Sequence, residues 1–486
     1  MKDIKSGVFY TALAKYAGVV ITLVVTAVLA RLFTPEQFGI INIATVFIAL
    51  FAVFSDMGLG AAVIQKNDLD EEDLKGVFSL TIWTGIILFV AFIAASPLIA
   101  GFYGGSKELK EVLMILSVSL LFNTLNMVPN ALLMKDKRFK FAAIRSLVVQ
   151  TVCGAAAIIA AKCGMGIYAL TINPVGSSIA IFLVNYVTRP IGARLVPGMT
   201  VVRKVFSFSI FQFAFLIINY ISRNLDKLLM GRYLSMKELG YYDKSYRLMM
   251  MPLQYISFVV TPVMHPVLAQ IQDDKKQIAS SYIKVVKLMS YIGFPLSILL
   301  FFIANDLVLF FFGEQWGPSV PCFRLLALSV GFQIASSTSG AVFQAANDTK
   351  RMFGCGLFTA VVNLLAISLG IFLFKTAEAV AAGLCLAFFA SFVQCYIFLF
   401  KKSLGYGWND FLKCLVKPLA LSGILAIVLW PLSKIIMPIT FVSSATLNHF
   451  LICAILCCIA LIVSLAFVQI SGDYDIVGKL RRTLRI

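Results

Sequence analysis

The densest group of residues able to bind or move charge lies in Asn219-Tyr220-Ile221-Ser222-Arg223-Asn224-Leu225-Asp226-Lys227-Leu228-Leu229-Met230-Gly231. Arg223, Asn224, Asp226 and Lys227 interrupt a run long enough to cross a bilayer. At helical spacing Arg223 shares a face with Asp226 and Lys227. It stands roughly 12 Å from Gly231 at 1.5 Å per residue. Two readings fit this spacing. Either an Arg223–Asp226 pair packs or snorkels outward, or the surplus positive charge holds an anionic headgroup, since guanidinium offers bidentate geometry to phosphate. Lys15 and Arg324 also lie within apolar runs, and Lys244 and Arg247 open the run after the Gly231 turn. Buried charge of this kind either faces a water-filled cavity or finds a partner. Arg223, Lys227, Arg324 and Lys15 are therefore the leading candidates for contact with an anionic substrate, followed by Asn224, Lys244 and Arg247. Asp226 and Asp56 could act as ion-pair partners or as proton or cation sites, which leaves coupling to H+ or Na+ open.

Catalytic chemistry has little material. No nucleophile constellation, nucleotide-binding loop or His-rich motif is present, so no catalytic residue, metal site or cofactor is expected. Of the two histidines, His265 lies between Pro262 and Pro266, where a kink accounts for the spacing. Asp68, Asp70, Glu71, Glu72 and Asp73 read as a solvated acidic turn that caps the following helix. The ten cysteines form no spacing pattern, and most lie within apolar runs as small packing residues.

The elements that must position these residues are membrane helices. The chain has 486 residues, 60% of them hydrophobic, with a mean hydropathy of +0.93. About fourteen runs are long enough to span a hydrocarbon core of roughly 30 Å. No connection between them is long enough for a separate soluble domain, so any activity resides in the bundle. The net charge of +18 is placed on loops: with a cytoplasmic amino terminus, most Lys and Arg fall on the cytoplasmic side, as in Lys135, Lys137, Arg138 and Lys140 and in Lys479, Arg481, Arg482 and Arg485. The positive-inside rule then puts both ends in the cytoplasm and makes nucleic acid an unneeded partner.

The chain also repeats itself. Arg31-Leu32-Phe33-Thr34-Pro35-Glu36-Gln37-Phe38-Gly39 returns as Arg232-Tyr233-Leu234-Ser235-Met236-Lys237-Glu238-Leu239-Gly240 at a constant offset of 201. A weaker echo joins Ala131-Leu132-Leu133-Met134 to Ala341-Val342-Phe343-Gln344. The fold class expected is all-α, with a six-helix lobe at 1–200, a parallel six-helix lobe at 201–402, and two further helices with a basic tail at 403–486. Parallel repeats of this kind rock about a path between them. In span six, Asn173-Pro174-Val175-Gly176 marks either an ordinary packed kink or a cavity-lining hinge at Pro174 and Gly176.

These segments resemble the oligosaccharide flippase, or polysaccharide transporter, family of the multidrug/oligosaccharidyl-lipid/polysaccharide exporter superfamily. The resemblance spans residues 5 to 400. It rests on Ala30 to Gly39, on Asp56-Met57-Gly58-Leu59-Gly60-Ala61-Ala62-Val63-Ile64-Gln65, and on Asn224 to Gly231 running into Leu239-Gly240-Tyr241-Tyr242. Pro266 to Asp274 and Phe312-Gly313-Glu314-Gln315-Trp316 add to it. The resemblance implies two lobes around a central cavity in a bacterial inner membrane. It further implies translocation of undecaprenyl-diphosphate-linked repeat units to the outer leaflet for O-antigen, capsule or exopolysaccharide, with polymerase or assembly proteins as partners. Span one carries no Asp or Glu, a departure from the acidic coupling sites of the superfamily's drug exporters.

The physics suits such a cargo. A diphosphate-linked sugar cannot enter hydrocarbon bare, whereas its lipid tail can remain there, so a hydrated basic cavity lowers the barrier. A multidrug or cation antiporter of similar fold would instead call for acidic walls. A polysaccharide polymerase or ligase would call for a large outer loop with catalytic groups.

Overall fold

In the computed structural model of the chain, residues 2–56, 60, 63–64, 69–194, 210–269, 271 and 274–473 are described. The side chains of Asp56 and His265, the acidic residue Asp68, the expected lobe boundary at 200/201 and the basic tail lie outside the described residues.

The first half of the chain forms α1 (Lys2–Leu32), α2 (Pro35–Asp56), α3 (Glu71–Phe102), α4 (Lys107–Leu125), α5 (Met127–Lys135), α6 (Phe139–Lys162), α7 (Ala169–Thr188) and α8 (Ile210–Tyr233). The second forms α9 (Met236–Ala269), α10 (Lys275–Phe302), α11 (Ala304–Phe312), α12 (Ser319–Ser336), α13 (Ser339–Ala345), α14 (Thr349–Ser368), α15 (Ala377–Tyr396), α16 (Trp408–Ile436) and α17 (Ala445–Ile470). Among the described residues, 12 segments are long and apolar enough to cross a membrane. The protein is a multi-pass helical membrane protein. Helices α8 and α9 occupy the positions of the other two expected spans but are not among the 12. Large apolar side chains point away from the protein, as at Leu98, Val187 and Ile427, each about three-quarters exposed. In hydrocarbon that exposure carries no hydrophobic penalty.

Contacts divide the chain into two compact units, Met1–Gly240 and Tyr241–Ile486. Helix α8 belongs to the first because it packs on α2 and the end of α3: Tyr220 donates its hydroxyl to the Val46 carbonyl at 2.7 Å, and Tyr103 donates to the Leu228 carbonyl at 3.2 Å. One core of this unit gathers Val63, Val77, Phe78, Val128, Leu132 and Ile191. The acidic turn behaves as a cap, with Asp70 accepting from the Asp73 amide at 2.6 Å at the start of α3. In the second unit, Tyr282, Tyr396, Phe400 and Phe411 stack inside the bundle, and Tyr396 donates to the Ala335 carbonyl at 2.7 Å. Gly293 and Gly331 let α10 and α12 approach closely, each meeting the other helix where a side chain would stand.

The repeated turn has the same local chemistry twice. Thr34 and Gln37 form a capping box, the Gln37 amide donating to Thr34 Oγ1 at 3.3 Å and the Thr34 amide to Gln37 Oε1 at 3.0 Å. Ser235 stands at the equivalent place and accepts from the Glu238 amide at 3.0 Å. The two copies also touch each other within the first unit. A Cβ on Gly39 would lie 2.7 Å from the Met236 carbonyl carbon, and a Cβ on Gly240 would lie 2.7 Å from that of Pro35. The contact is reciprocal, because Pro35 and Met236 hold equivalent positions in the repeat. Only glycine permits two helix beginnings to meet this closely.

The second echo repeats a turn as well. After α5, the amides of Asp136, Lys137 and Arg138 donate to Leu132, Met134 and Leu133. After α13, those of Ala346, Asn347 and Asp348 donate to Val342, Gln344 and Phe343 in the same order. Lys137 and Asn347 take the left-handed conformation, at φ 56 and 53, which closes each helix end.

Candidate functional site

Three helices of the first unit bring neutral polar side chains together within their apolar lengths. Helices α6 and α7 border an open cavity of about 320 Å³ lined by Ser146, Gln150, Asn173, Pro174, Ser177 and Ile181. Helix α1 joins it through Gln150, whose Nε2 donates to the Gly18 carbonyl at 3.1 Å and to Thr22 Oγ1. Asn173 Oδ1 accepts from the Ser177 hydroxyl at 3.2 Å. Ser146 donates to the Ala142 carbonyl at 2.8 Å and accepts from Arg145 Nη2 at 3.2 Å. Arg145 Nη1 is turned onto Asn185, which in turn donates to Asn126 Oδ1 at 2.7 Å, while Arg145 Nε is enclosed without an acceptor. Helix α7 runs unbroken through Pro174, since a missing amide donor is tolerated where polar neighbours or water take up the freed carbonyl. Asn173 and Pro174 thus line a cavity, and Gly176 faces Cys153, whose Sγ would lie 3.2 Å from an added Cβ.

The expected headgroup contacts fall in both units. On α8, Arg223 is exposed, Asn224 and Lys227 are half-buried and Asp226 is buried. Asn224 Nδ2 donates to the Tyr220 carbonyl at 3.0 Å, a bond within its own helix. Lys15 is exposed on α1, one turn before Gly18. In the second unit, Arg324 on α12 is half-buried, and its Nε is enclosed without a hydrogen-bond acceptor. Lys244 is buried, its ammonium 5.5 Å from the ring centres of both Phe312 and Trp316. That packing also gives the Phe312-Gly313-Glu314-Gln315-Trp316 segment a local purpose, with Gly313 at φ 94 turning the chain. Arg247 is bound to Asp243 at 2.7 Å.

The neutral residues Ser146 and Gln150 escaped the sequence reading, which searched the spans for charge. Their signal was a glutamine at the centre of Leu147-Val148-Val149-Gln150-Thr151-Val152, where hydrocarbon offers an amide no partner. No cluster of His, Cys, Asp and Glu suited to a metal ion occurs among the described residues.

The fold is shared with known proteins. The lipid II flippase MurJ in an inward closed conformation superposes with a TM-score of 0.70 at 17% identity, covering 96% of this chain and 99% of that one. An inward-facing multidrug resistance transporter of the MOP superfamily gives a TM-score of 0.57 at 14% identity, covering 83% and 95%. In sequence, the teichuronic acid biosynthesis protein TuaB of Bacillus subtilis (strain 168) is 26% identical, covering 74% of this chain and 77% of its own. The lipopolysaccharide biosynthesis protein WzxC of Escherichia coli (strain K12) is 26% identical, covering 86% and 85%. The polysaccharide biosynthesis protein family matches residues 28–321, more than half of the sequence and both copies of the repeated turn, and the chain belongs to that family.

Proposed function

We propose that the protein is a flippase that carries undecaprenyl-diphosphate-linked oligosaccharide repeat units from the cytoplasmic to the outer leaflet, by alternating access, for surface polysaccharide assembly. The observation that carries this reading is a polysaccharide biosynthesis chain whose open cavity carries four polar side chains between the membrane helices α6 and α7. With its chemistry confined to the bundle, transport is the activity such a chain can supply. The names of WzxC and of the succinoglycan biosynthesis transport protein ExoT of Rhizobium meliloti (strain 1021) support it. The family relatives support a bacterial inner-membrane location, and the loop charges support cytoplasmic termini. Arg223, Lys227, Arg324 and Lys15 are the proposed diphosphate contacts, with attraction spread thinly so that cargo can leave. Any H+ or Na+ coupling would fall to Asp226 or Asp56.

The test is deletion of the gene in its host, followed by the fate of the lipid-linked pool. Repeat units that accumulate on the cytoplasmic leaflet, with not even single units reaching the surface, fit a missing translocation step. Single units that still reach the surface without extension identify an assembly enzyme instead. Removing charge at all four basic residues should abolish export; unchanged export rejects their assignment.

A further inference from the structure

The cavity between α6 and α7 opens within the apolar length of both helices, with Gln150 at the centre of Phe139–Lys162 and Asn173 one turn into Ala169–Thr188. Polar atoms left open there require a hydrated path, because hydrocarbon leaves them unsatisfied. Their hydrogen-bonding capacity can be followed atom by atom. Both amide donors of Gln150 are spent on Gly18 and Thr22, so its Oε1 remains as an acceptor. Asn173 uses its oxygen for Ser177, so its Nδ2 remains as a donor. The hydroxyls of Ser146 and Ser177 keep lone pairs for further acceptance. None of the lining residues is charged, and the neighbouring Arg145 is turned onto Asn185 and Ser146.

A cation held against such a lining would meet no counter-charge, only the Arg145 guanidinium hydrogen-bonded to the lining residue Ser146. A ring bearing several hydroxyls matches alternating donors and acceptors and can lay its C–H face on Pro174 and Ile181. A volume of about 320 Å³ is at the small end of ligand sites. Resting on the flippase reading, we infer that this cavity is a subsite for one sugar ring of the carried oligosaccharide, recognised by Asn173 and Gln150 and separate from the residues that hold the diphosphate.

The test uses the purified full-length protein in lipid nanodiscs and two probes, the host's undecaprenyl-diphosphate-linked repeat unit and undecaprenyl diphosphate without sugar. The wild-type protein should bind the sugar-bearing probe at least tenfold more tightly. Asn173→Ala should lose roughly five- to tenfold of that affinity, the loss of one hydrogen bond, and keep its affinity for the bare lipid. Asn173→Asp keeps the shape and the acceptor for Ser177 while removing the amide donor, so the same loss in this variant separates recognition from a folding defect. Variants that weaken both probes equally, or that retain the full preference, overturn the sugar subsite and leave the flippase reading standing. A wild-type protein that binds both probes alike also overturns the subsite, and one that binds neither overturns both.

Discussion

Substituting alanine at Gly39 or Gly240 tests whether the repeated turns are held together by their own reciprocal contact. A Cβ at Gly39 would stand 2.7 Å from the Met236 carbonyl carbon and 3.0 Å from its Cα; at Gly240 it would stand 2.7 Å and 3.2 Å from the same atoms of Pro35. Carbon atoms at rest lie about 3.5–4.0 Å apart. Each substitution therefore forces the two helix beginnings apart by roughly 1 Å. The opposing atoms are backbone, so no rotamer change relieves the overlap. Overpacking of this kind costs about 1–3 kcal/mol, and the rigidity of both partners puts these positions near 3 kcal/mol. Because either methyl opens the same gap, the double variant should fall short of the sum by about 1 kcal/mol or more. Heat-induced unfolding of the purified protein in detergent, followed by intrinsic fluorescence, reads both quantities. Singles within about 0.5 kcal/mol of wild type, or a strictly additive pair, would show that the two glycines do not share one contact.

Other contacts lead to equally specific outcomes. Asp473, just beyond α17, is met by Lys287 and Lys417 at 2.8 Å and by the Tyr291 hydroxyl at 2.6 Å. Burial acts to raise its pKa, but the hydrogen bonds from Lys287, Lys417 and Tyr291 outweigh it and hold the carboxyl well below the usual range. Its stabilising contribution is therefore complete above the ordinary carboxylate value of about 3.9 and is lost as pH falls towards the depressed folded value. Asp473→Asn should lower stability at neutral pH by about 2 kcal/mol and flatten the fall below pH 4. Melting curves that coincide with wild type at pH 7 contradict this. His449 on α17 meets Asp306 at 2.7 Å, and that carboxylate is 1% exposed with its second oxygen unpartnered. His449→Ala should loosen α17 by about 3 kcal/mol, with His449→Gln recovering part of the loss. Limited proteolysis at the 437–444 connection measures this, and equal protection in both variants rejects it.

The span pattern was legible in the sequence because hydropathy accumulates along the chain whatever the neighbours are. The exceptions are α8 and α9, where Arg223, Asp226, Lys227 and Arg232 in the one and Lys237, Glu238, Asp243, Lys244 and Arg247 in the other dilute the apolar signal. The repeated turn was legible too, since Thr34 and Gln37, like Ser235 and Glu238, encode their own helix start within four residues. Even the weaker echo at Leu132 and Val342 proved to encode one hydrogen-bonded turn twice.

Side-chain surroundings were not legible in this way. Lys15 lies within an apolar run and Lys244 opens one, yet Lys244 is enclosed by Phe312 and Trp316 while Lys15 stays exposed. Gln150 is a single polar residue in a hydrophobic stretch, and its meaning depends on Gly18, Thr22, Asn173 and Ser177 arriving from two other helices. The sequence alone determined which segments enter the membrane, how their ends are capped and that the pattern occurs twice, because those properties are written in neighbouring residues. The tertiary structure alone decided which polar groups are shut inside a packed bundle and which stay exposed, because burial depends on helices far apart in the chain.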